Sequence, residues 1–309
     1  MSVIMPSYNA EKYIGEAIES ILCQSYDNWE LIIVEDCSTD GTLNTIKAYD
    51  DSRIKLLYNE SNIGIADTTN KAIKESDGKY IALLDDDDIA EKHRLLFQVN
   101  YLEQHSEIDV LGGRTTFIDS NGTVISRSGI PRYNPKYIKA TLLFSCMDFM
   151  NSTVMIRRDF IEKNQLYYRN GCYGMQDFRF YIESSKVGNI STIDEFLLKH
   201  RLHEDNATKK NMSVFSQERK KAYAELQRYS LKRSGFQLSE EELEFVNRIF
   251  PETGGKCDSK GDLLKLYEVF RKILEQGKSM NIDFYEELSH LCRKKIAERI
   301  TPLKSFFEQ

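Results

Sequence analysis

Along the first hundred residues the spacing of apolar positions changes period repeatedly. "SVIMPSYN" and "WELIIVEDCSTDGT" are short, continuous aliphatic runs that end in polar clusters and turns. Between them, "AEKYIGEAIESILCQ" sets Tyr13, Ile14, Ala17, Ile18, Ile21 and Leu22 at helical spacing. "TLNTIKAYD" then predicts a helix and "RIKLLYNE" a third strand. "GIADTTNKAIKESDGK" predicts a helix stopped at Asp77-Gly78, and "YIALLDDDD" a fourth strand. The order β-α-β-α-β-α-β, with unbroken apolar strands, predicts an α/β fold whose mostly parallel sheet is flanked by helices.

Further on, "AEKHRLLFQVNYLEQH" reads as an amphipathic helix, with Asp88-Ile89-Ala90-Glu91 as a capping box that begins it. "IDVLGGRTTFID" and "TVISRSGI" read as strands joined by the Ser120-Asn121-Gly122 turn, which makes this part of the sheet mixed. "NSTVMIRRDFIEKN" predicts strand then helix, "MQDFRFYIESSKV" a helix entered near Gly174, and "DEFLLKHRLH" a last strand. From about Ser213 the pattern is helical throughout. The expected division is an α/β body over 1–210 and a helical extension over 211–309.

Ligands of open α/β sheets bind beyond the carboxyl ends of the strands. Three strands here end in polar clusters: Pro6-Ser7-Tyr8-Asn9, Glu35-Asp36 and Asp85 to Asp88. All three fall on one rim, which marks it as the site. Four adjacent carboxylates repel one another, and a divalent cation such as Mg²⁺ or Mn²⁺ would relieve that repulsion. Alternate residues of an extended segment share a direction, so Asp85 and Asp87 can share a task that Asp86 does not. An EF-hand loop is excluded, because its fifth and sixth positions would be Ile89 and Ala90.

The 309 residues carry a net charge of −6, which argues against non-specific nucleic-acid binding. No apolar run approaches the length needed to span a bilayer, and the start lacks a signal-peptide pattern, so a cytoplasmic protein is expected. The six cysteines are too scattered for a zinc site or a disulfide framework.

The stretches "SVIMPSYNAEKYIGEAIESILCQSYDNWELIIVEDCSTDGT" and "GKYIALLDDDDIAEKHRLLFQ" resemble the bacterial family 2 glycosyltransferases of the GT-A (Rossmann-like) fold, over roughly residues 1–205. The resemblance implies inverting transfer of a hexose, or its N-acetyl derivative, from a UDP-sugar to a saccharide or lipid-linked oligosaccharide acceptor of the kind used for surface polysaccharide or O-antigen. It implies a nucleotide-binding half over about 1–105 and an acceptor-binding half over about 106–210. Pro6 and Tyr8 would line the uracil pocket, Asp36 would accept from uracil N3–H, and Asn9, Glu11 and Asn62 would complete the nucleotide-sugar site. Asp85 and Asp87 would form the metal-binding D-x-D pair, with Asp87 the firmer ligand of one Mn²⁺ or Mg²⁺. Asp86 and Asp88 would lie beside the donor. In "YGMQDFRFYIES" Asp177 takes the place of the general base, kept ionised by its helix start; the acid that often precedes it is Gln176 here. "LLKHRLHEDNAT" resembles the family's R-x-H ending, so Arg201 and His203 would face the diphosphate, with His203 a further metal ligand. Strand alternation would turn His200 away from both.

Two departures stand out. Thr69 precedes Asn70 where relatives often carry Arg, so the diphosphate contact would fall to Arg94 or Arg201. Asn151-Ser152-Thr153 replaces a His-Ser-Ser that would face the acceptor. In the tail, "ELSHLCRKKIAERITPLKSFFEQ" combines an apolar stripe (Leu288, Leu291, Ile296, Ile300) with Arg293, Lys294 and Lys295. Such a helix packs on the body or on a second copy in a homodimer, or lies on the inner face of an anionic membrane. Rival readings are a non-catalytic nucleotide-sugar-binding protein and a sugar nucleotidyltransferase. The latter needs a Gly-rich basic loop where this chain has "PSYNAEKYIG".

Overall fold

A computed structural model describes residues 1–129, 134–146, 149–204, 206, 216–252, 255 and 257–300. The chain forms two compact units, 1–133 with 148–213 and 134–147 with 214–309.

The first unit opens with β1 (Ser2–Ser7), α1 (Ile14–Leu22), β2 (Glu30–Glu35), α2 (Thr42–Lys47), β3 (Ile54–Tyr58), α3 (Ile65–Lys74) and β4 (Tyr80–Leu83). It continues with β5 (Ile89–Ala90), α4 (Arg94–Gln104), β6 (Val110–Ile118) and β7 (Val124–Arg127). After residue 148 come a 3₁₀ turn (Asn151–Thr153), β8 (Met155–Arg157), α6 (Arg158–Asn164), α7 (Gln176–Val187) and β9 (Ile190–Arg201).

These strands make one mixed sheet in the order β3-β2-β1-β4-β8-β6-β9-β5, with β7 beside β6. β3, β2, β1 and β4 run parallel, in a register that sets Ser7 against Glu35. Val3, Ile4, Met5, Leu31 to Val34 and Tyr80 to Leu84 are buried, as strands covered on both faces require. Gly78 allows β4 to enter beside β1, because a Cβ there would meet the backbone of Met1 at 2.4 Å.

Two elements depart from expectation. The segment Asp88-Ile89-Ala90-Glu91 does not start a helix. Ile89 and Ala90 pair with Lys199 and Leu198 of β9, the Glu91 N–H donates to Leu197 O (2.9 Å), and α4 begins only at Arg94. Of the two backbone donors that a capping box would satisfy, the Glu91 N–H is used by the strand ladder and the Asp88 N–H donates to Asp85 O (3.3 Å).

Residues 134–147, read from sequence as part of the α/β body, contribute α5 (Pro135–Thr141) to the second unit instead. There they join α8 (Ser216–Arg233), α9 (Glu240–Ile249), α10 (Lys260–Ser279) and α11 (Tyr285–Ile300). Phe144 packs against Phe250 and Phe270 with ring centroids 5.6 and 5.3 Å away. Ser239 and Glu242 form a reciprocal capping box at the start of α9. In α11, Leu288 and Leu291 are buried in this same core and Ile296 packs against it. Of the stripe that reads as a membrane or dimer face, Leu288, Leu291 and Ile296 thus pack within the helical unit; the Ile300 side chain and the stretch 301–309 lie outside what the structure describes. Among the described residues no helix is long and apolar enough to cross a membrane.

Beneath the sheet rim lies a polar brace. Arg94 and Gln98, both fully buried on α4, join through Arg94 Nε and Gln98 Oε1 (3.1 Å). Arg94 Nη2 donates to Leu83 O (2.7 Å), and Gln98 Nε2 donates to Leu111 O (3.1 Å) and Thr153 O (2.8 Å). One side-chain pair thereby ties β4, β6 and the turn before β8. Gln98→Leu would strip partners from two buried carbonyls and a guanidinium N–H, and is expected to cost about 2 kcal/mol or more. A shifted urea midpoint would show it; an unchanged midpoint would mean that the brace does not carry the rim.

Candidate active site

The three polar clusters meet at one rim, as the parallel register requires. The Asp36 N–H donates to Ser7 O (2.8 Å), and the Tyr8 N–H donates to Asp86 Oδ2 (3.0 Å), which joins the ends of β1 and β4. Tyr8 leaves its ring about half exposed, available as a stacking platform. Asn9 takes a left-handed φ of 53° and accepts from Thr39 N (2.8 Å). Glu11 Oε2 accepts from Gly41 N (3.0 Å), so both residues shape the loop after β2 from across the rim.

Asp36 is buried and already engaged. Its Oδ1 accepts from Asn59 Nδ2 (2.8 Å) and Ile63 N (2.9 Å), and Oδ2 accepts from Gly64 N (2.9 Å). Gly64, at φ +86°, supplies the turn that presents two successive N–H groups. A carboxylate has about four lone-pair sites, so room for one further donor remains. Asn62 is exposed in the same loop.

The four aspartates divide by partner. Asp85 Oδ2 accepts from Ser152 Oγ (2.5 Å). Burial, then the charges of Asp88 and Asp87, push the Asp85 carboxyl up to about 7. Burial and the neighbouring Asp87 hold Asp86 well above the ordinary carboxylate range. Asp87 Oδ2 lies 2.8 Å from His203 Nε2 and accepts from Asn206 Nδ2 (2.9 Å). Asp88, fully buried, lies 2.9 Å from His200 Nδ1 and accepts from the Arg201 N–H (3.0 Å).

His200 is therefore no bystander. Alternation does turn it away from Arg201 and His203, but β5 brings Asp88 to that side of β9. Burial opposes its charge, and Asp88, Asp87 and Asp85 override burial, raising its pKa to about 9.

The two arginines are placed differently from expectation. Arg94 is sealed under the rim in the brace. Burial draws its pKa down to about 10 against the pull of Asp88 and Asp85, so it stays cationic at neutral pH. Arg201 is also buried: Nη2 donates to Glu16 Oε2 (2.8 Å), Nε donates to Asp87 O (3.2 Å), and its guanidinium sits 4.6 Å from the Tyr13 ring centre. Both brace the tetrad from behind and do not present a guanidinium to a diphosphate.

Asp177 stands in the first turn of α7, where its Oδ1 accepts from Phe178 N (2.7 Å). A small cleft beside it is lined by Pro6, Thr69, Leu84, Asp85, Asn151, Tyr168 and Gln176 among others. The buried Tyr168 phenol is held well above its usual range by burial, then by the charges of Asp177 and Asp85. Asp177 and Asp85 thus both bear on the Tyr168 phenol. Tyr168 is itself clamped, since Asn70 Nδ2 donates to Tyr168 O (2.8 Å) and Asn70 Oδ1 accepts from Tyr168 N (2.9 Å).

Sequence reasoning passed over Glu16, Tyr168, Gln98 and Asn206. Glu16, Tyr168 and Asn206 act through partners far away in the chain, and Gln98, four residues from Arg94, gains its role by reaching Leu111 and Thr153.

Residues 2–164 match the profile described as Glycosyl transferase family 2. The chain belongs to glycosyltransferase family 2. An uncharacterised glycosyltransferase of Methanocaldococcus jannaschii is 36% identical over 212 residues, 67% of this chain and 72% of that protein. The UDP-Glc:α-D-GlcNAc-diphosphoundecaprenol β-1,3-glucosyltransferase WfgD of Escherichia coli is 42% identical over 124 residues. That match spans 40% of this chain and 49% of WfgD. In fold, this glycosyltransferase is similar to S. aureus TarS 1–349 in complex with UDP-GlcNAc, with a TM-score of 0.64 at 20% identity over 99% of this chain and 91% of that one. The likeness establishes the GT-A architecture.

In this glycosyltransferase, Asp88→Ala would leave a buried imidazolium and a backbone N–H without their acceptor. The expected loss is about 3–5 kcal/mol of stability, without nucleotide present. Chemical denaturation of the ligand-free protein checks it. A loss below about 0.5 kcal/mol would return Asp88 to a role in ligand binding alone.

Proposed function

We propose that this chain is an inverting glycosyltransferase that moves a hexose, or its N-acetyl derivative, from a UDP-sugar to a hydroxyl of a saccharide acceptor, a lipid-linked surface-glycan precursor. The observation that carries this reading is that one cleft is lined both by Asp85 of the acidic tetrad and by Gln176, the residue next to Asp177. Direct displacement needs a base on the acceptor's oxygen and compensation for charge on the leaving diphosphate, both within reach of one sugar.

In this reading, residues 1–105 hold the donor and 106–210 the acceptor. Tyr8 stacks on the uracil, and Asp36 uses its remaining acceptor site for the uracil N3–H. Asp177 takes the proton from the attacking hydroxyl, and its place in the first turn of α7 favours the ionised form that a base requires. The E. coli relative acts on UDP-Glc and forms a β-1,3 linkage, which supports both the donor class and inversion.

Asp87 and His203 are the residues that would hold a Mn²⁺ or Mg²⁺ ion. Their donor set of carboxylate oxygen and imidazole suits such an ion. Among the described residues no cluster of three or more His, Cys, Asp or Glu is arranged to hold one, so diphosphate oxygens and water would complete the coordination. When bound, the ion supplies Lewis-acid neutralisation of the diphosphate. Asn206 orients Asp87 for this task, and Ser152 orients Asp85.

Asp177→Asn is expected to lower transfer by about 10²–10⁴-fold while UDP still raises the melting temperature in the presence of Mn²⁺. Retained transfer would remove Asp177 from the role of base. Wild-type protein stabilised by GDP or dTDP and not by UDP would overturn the donor assignment.

A further inference from the structure

Asn151 occupies the turn before β8, half-buried, and is gripped from behind. Its Oδ1 accepts from Tyr181 Oη (2.7 Å) and from Tyr168 Oη (3.4 Å). Those two phenols fix which way the amide points. Oδ1 is the atom on the phenol side, since both hydroxyls donate to it. Nδ2 therefore points away from the phenols, and it donates to no group among the described residues. Asn151 lines the cleft together with Asp85, Tyr168 and Gln176.

The grip is rigid. Tyr181 is fully buried, and Tyr168 stacks on Phe180 with centroids 4.5 Å apart while Asn70 clamps its main chain. A neutral, directional donor held this firmly does not bind a diphosphate by charge. It reads the position of one oxygen atom. Gln176, next to the proposed base Asp177, lines the same cleft, which sets that oxygen toward the reacting sugar end of the donor.

We propose that Asn151 is a specificity-determining residue for the donor sugar, its Nδ2 donating a hydrogen bond to an oxygen substituent of the sugar ring, either a hydroxyl or the carbonyl of an N-acyl group. The assignment rests on the UDP-sugar reading above, and it moves Asn151 from the acceptor side expected from sequence to the donor side.

The test compares wild type, Asn151→Ala and Asn151→Asp for hydrolysis of UDP-glucose, UDP-galactose, UDP-GlcNAc and UDP-GalNAc, with UDP affinity measured on wild type and the Ala variant. UDP affinity is expected to stay within about twofold, while kcat/KM for the preferred donor falls about tenfold and its lead over the next donor shrinks by the same factor. Asn151→Asp keeps an oxygen for both phenols, so it reports on the site even if the Ala variant folds poorly. If Nδ2 reads an N-acyl carbonyl, the Asp variant loses that donor outright; if it reads a hydroxyl, which can also donate, part of the activity returns. Donor ratios unchanged within twofold in both variants would overturn the assignment and leave the UDP-sugar reading standing. Wild type that neither binds UDP nor hydrolyses any of the four would overturn the UDP-sugar reading, and the assignment with it.

Discussion

Four consecutive carboxylates at the end of a buried strand must be kept from repelling one another, and the rest of the site is arranged around that constraint. Each acid meets a different donor from a different part of the chain. Asp85 has Ser152, Asp86 the Tyr8 N–H, Asp87 the pair His203 and Asn206, and Asp88 the pair His200 and Arg201 N–H. Behind them lie two buried guanidinium groups, Arg94 and Arg201. Separate partners make the block tolerable, although burial and the neighbouring acids still hold Asp85 and Asp86 above the ordinary carboxylate range.

The sheet topology makes this distribution possible. In the sheet, β4 and β9 are separated by β8 and β6, so their ends would not meet by strand pairing alone. The two-residue strand β5, which follows the tetrad immediately, closes the gap by pairing with β9 at Lys199 and Leu198. That short ladder carries Asp87 and Asp88 onto residues 200–206, up to 119 positions away in sequence. A helix starting at Asp88 would have pointed the chain elsewhere and left the last two acids unpaired.

The same fact explains what could be read from the sequence. Period and turn chemistry are local, and they placed β1 to β4, the β6–β7 hairpin and α7 near their observed bounds. The rim followed from those strands, because parallel strands that end in polar clusters bring their ends together. Partners were not legible. Asp88 satisfies a capping-box pattern and lies in a strand junction, because pairing with β9 is a tertiary event. Alternation set His200 on the face opposite Arg201, as observed, but it is silent on what packs there, and Asp88 does. Residues 134–147 carry no signal of the unit they join, because Phe144 looks apolar in either setting and its ring partners come at Phe250 and Phe270.

The departures from the family pattern then acquire a common meaning. Thr69 and Gln176, where the resemblance implies an arginine and an acid, line the cleft as neutral side chains, and Asn151 adds a third neutral group. The arginines named as substitutes are committed elsewhere, Arg94 to main-chain carbonyls and Gln98, and Arg201 to Glu16. A diphosphate approaching this rim meets carboxylates and amides before it meets a guanidinium. Phosphate and carboxylate repel, so binding at this rim needs positive charge that these side chains do not bring to it. On the proposed reading, that would shift the burden of compensation onto a divalent cation at Asp87 and His203.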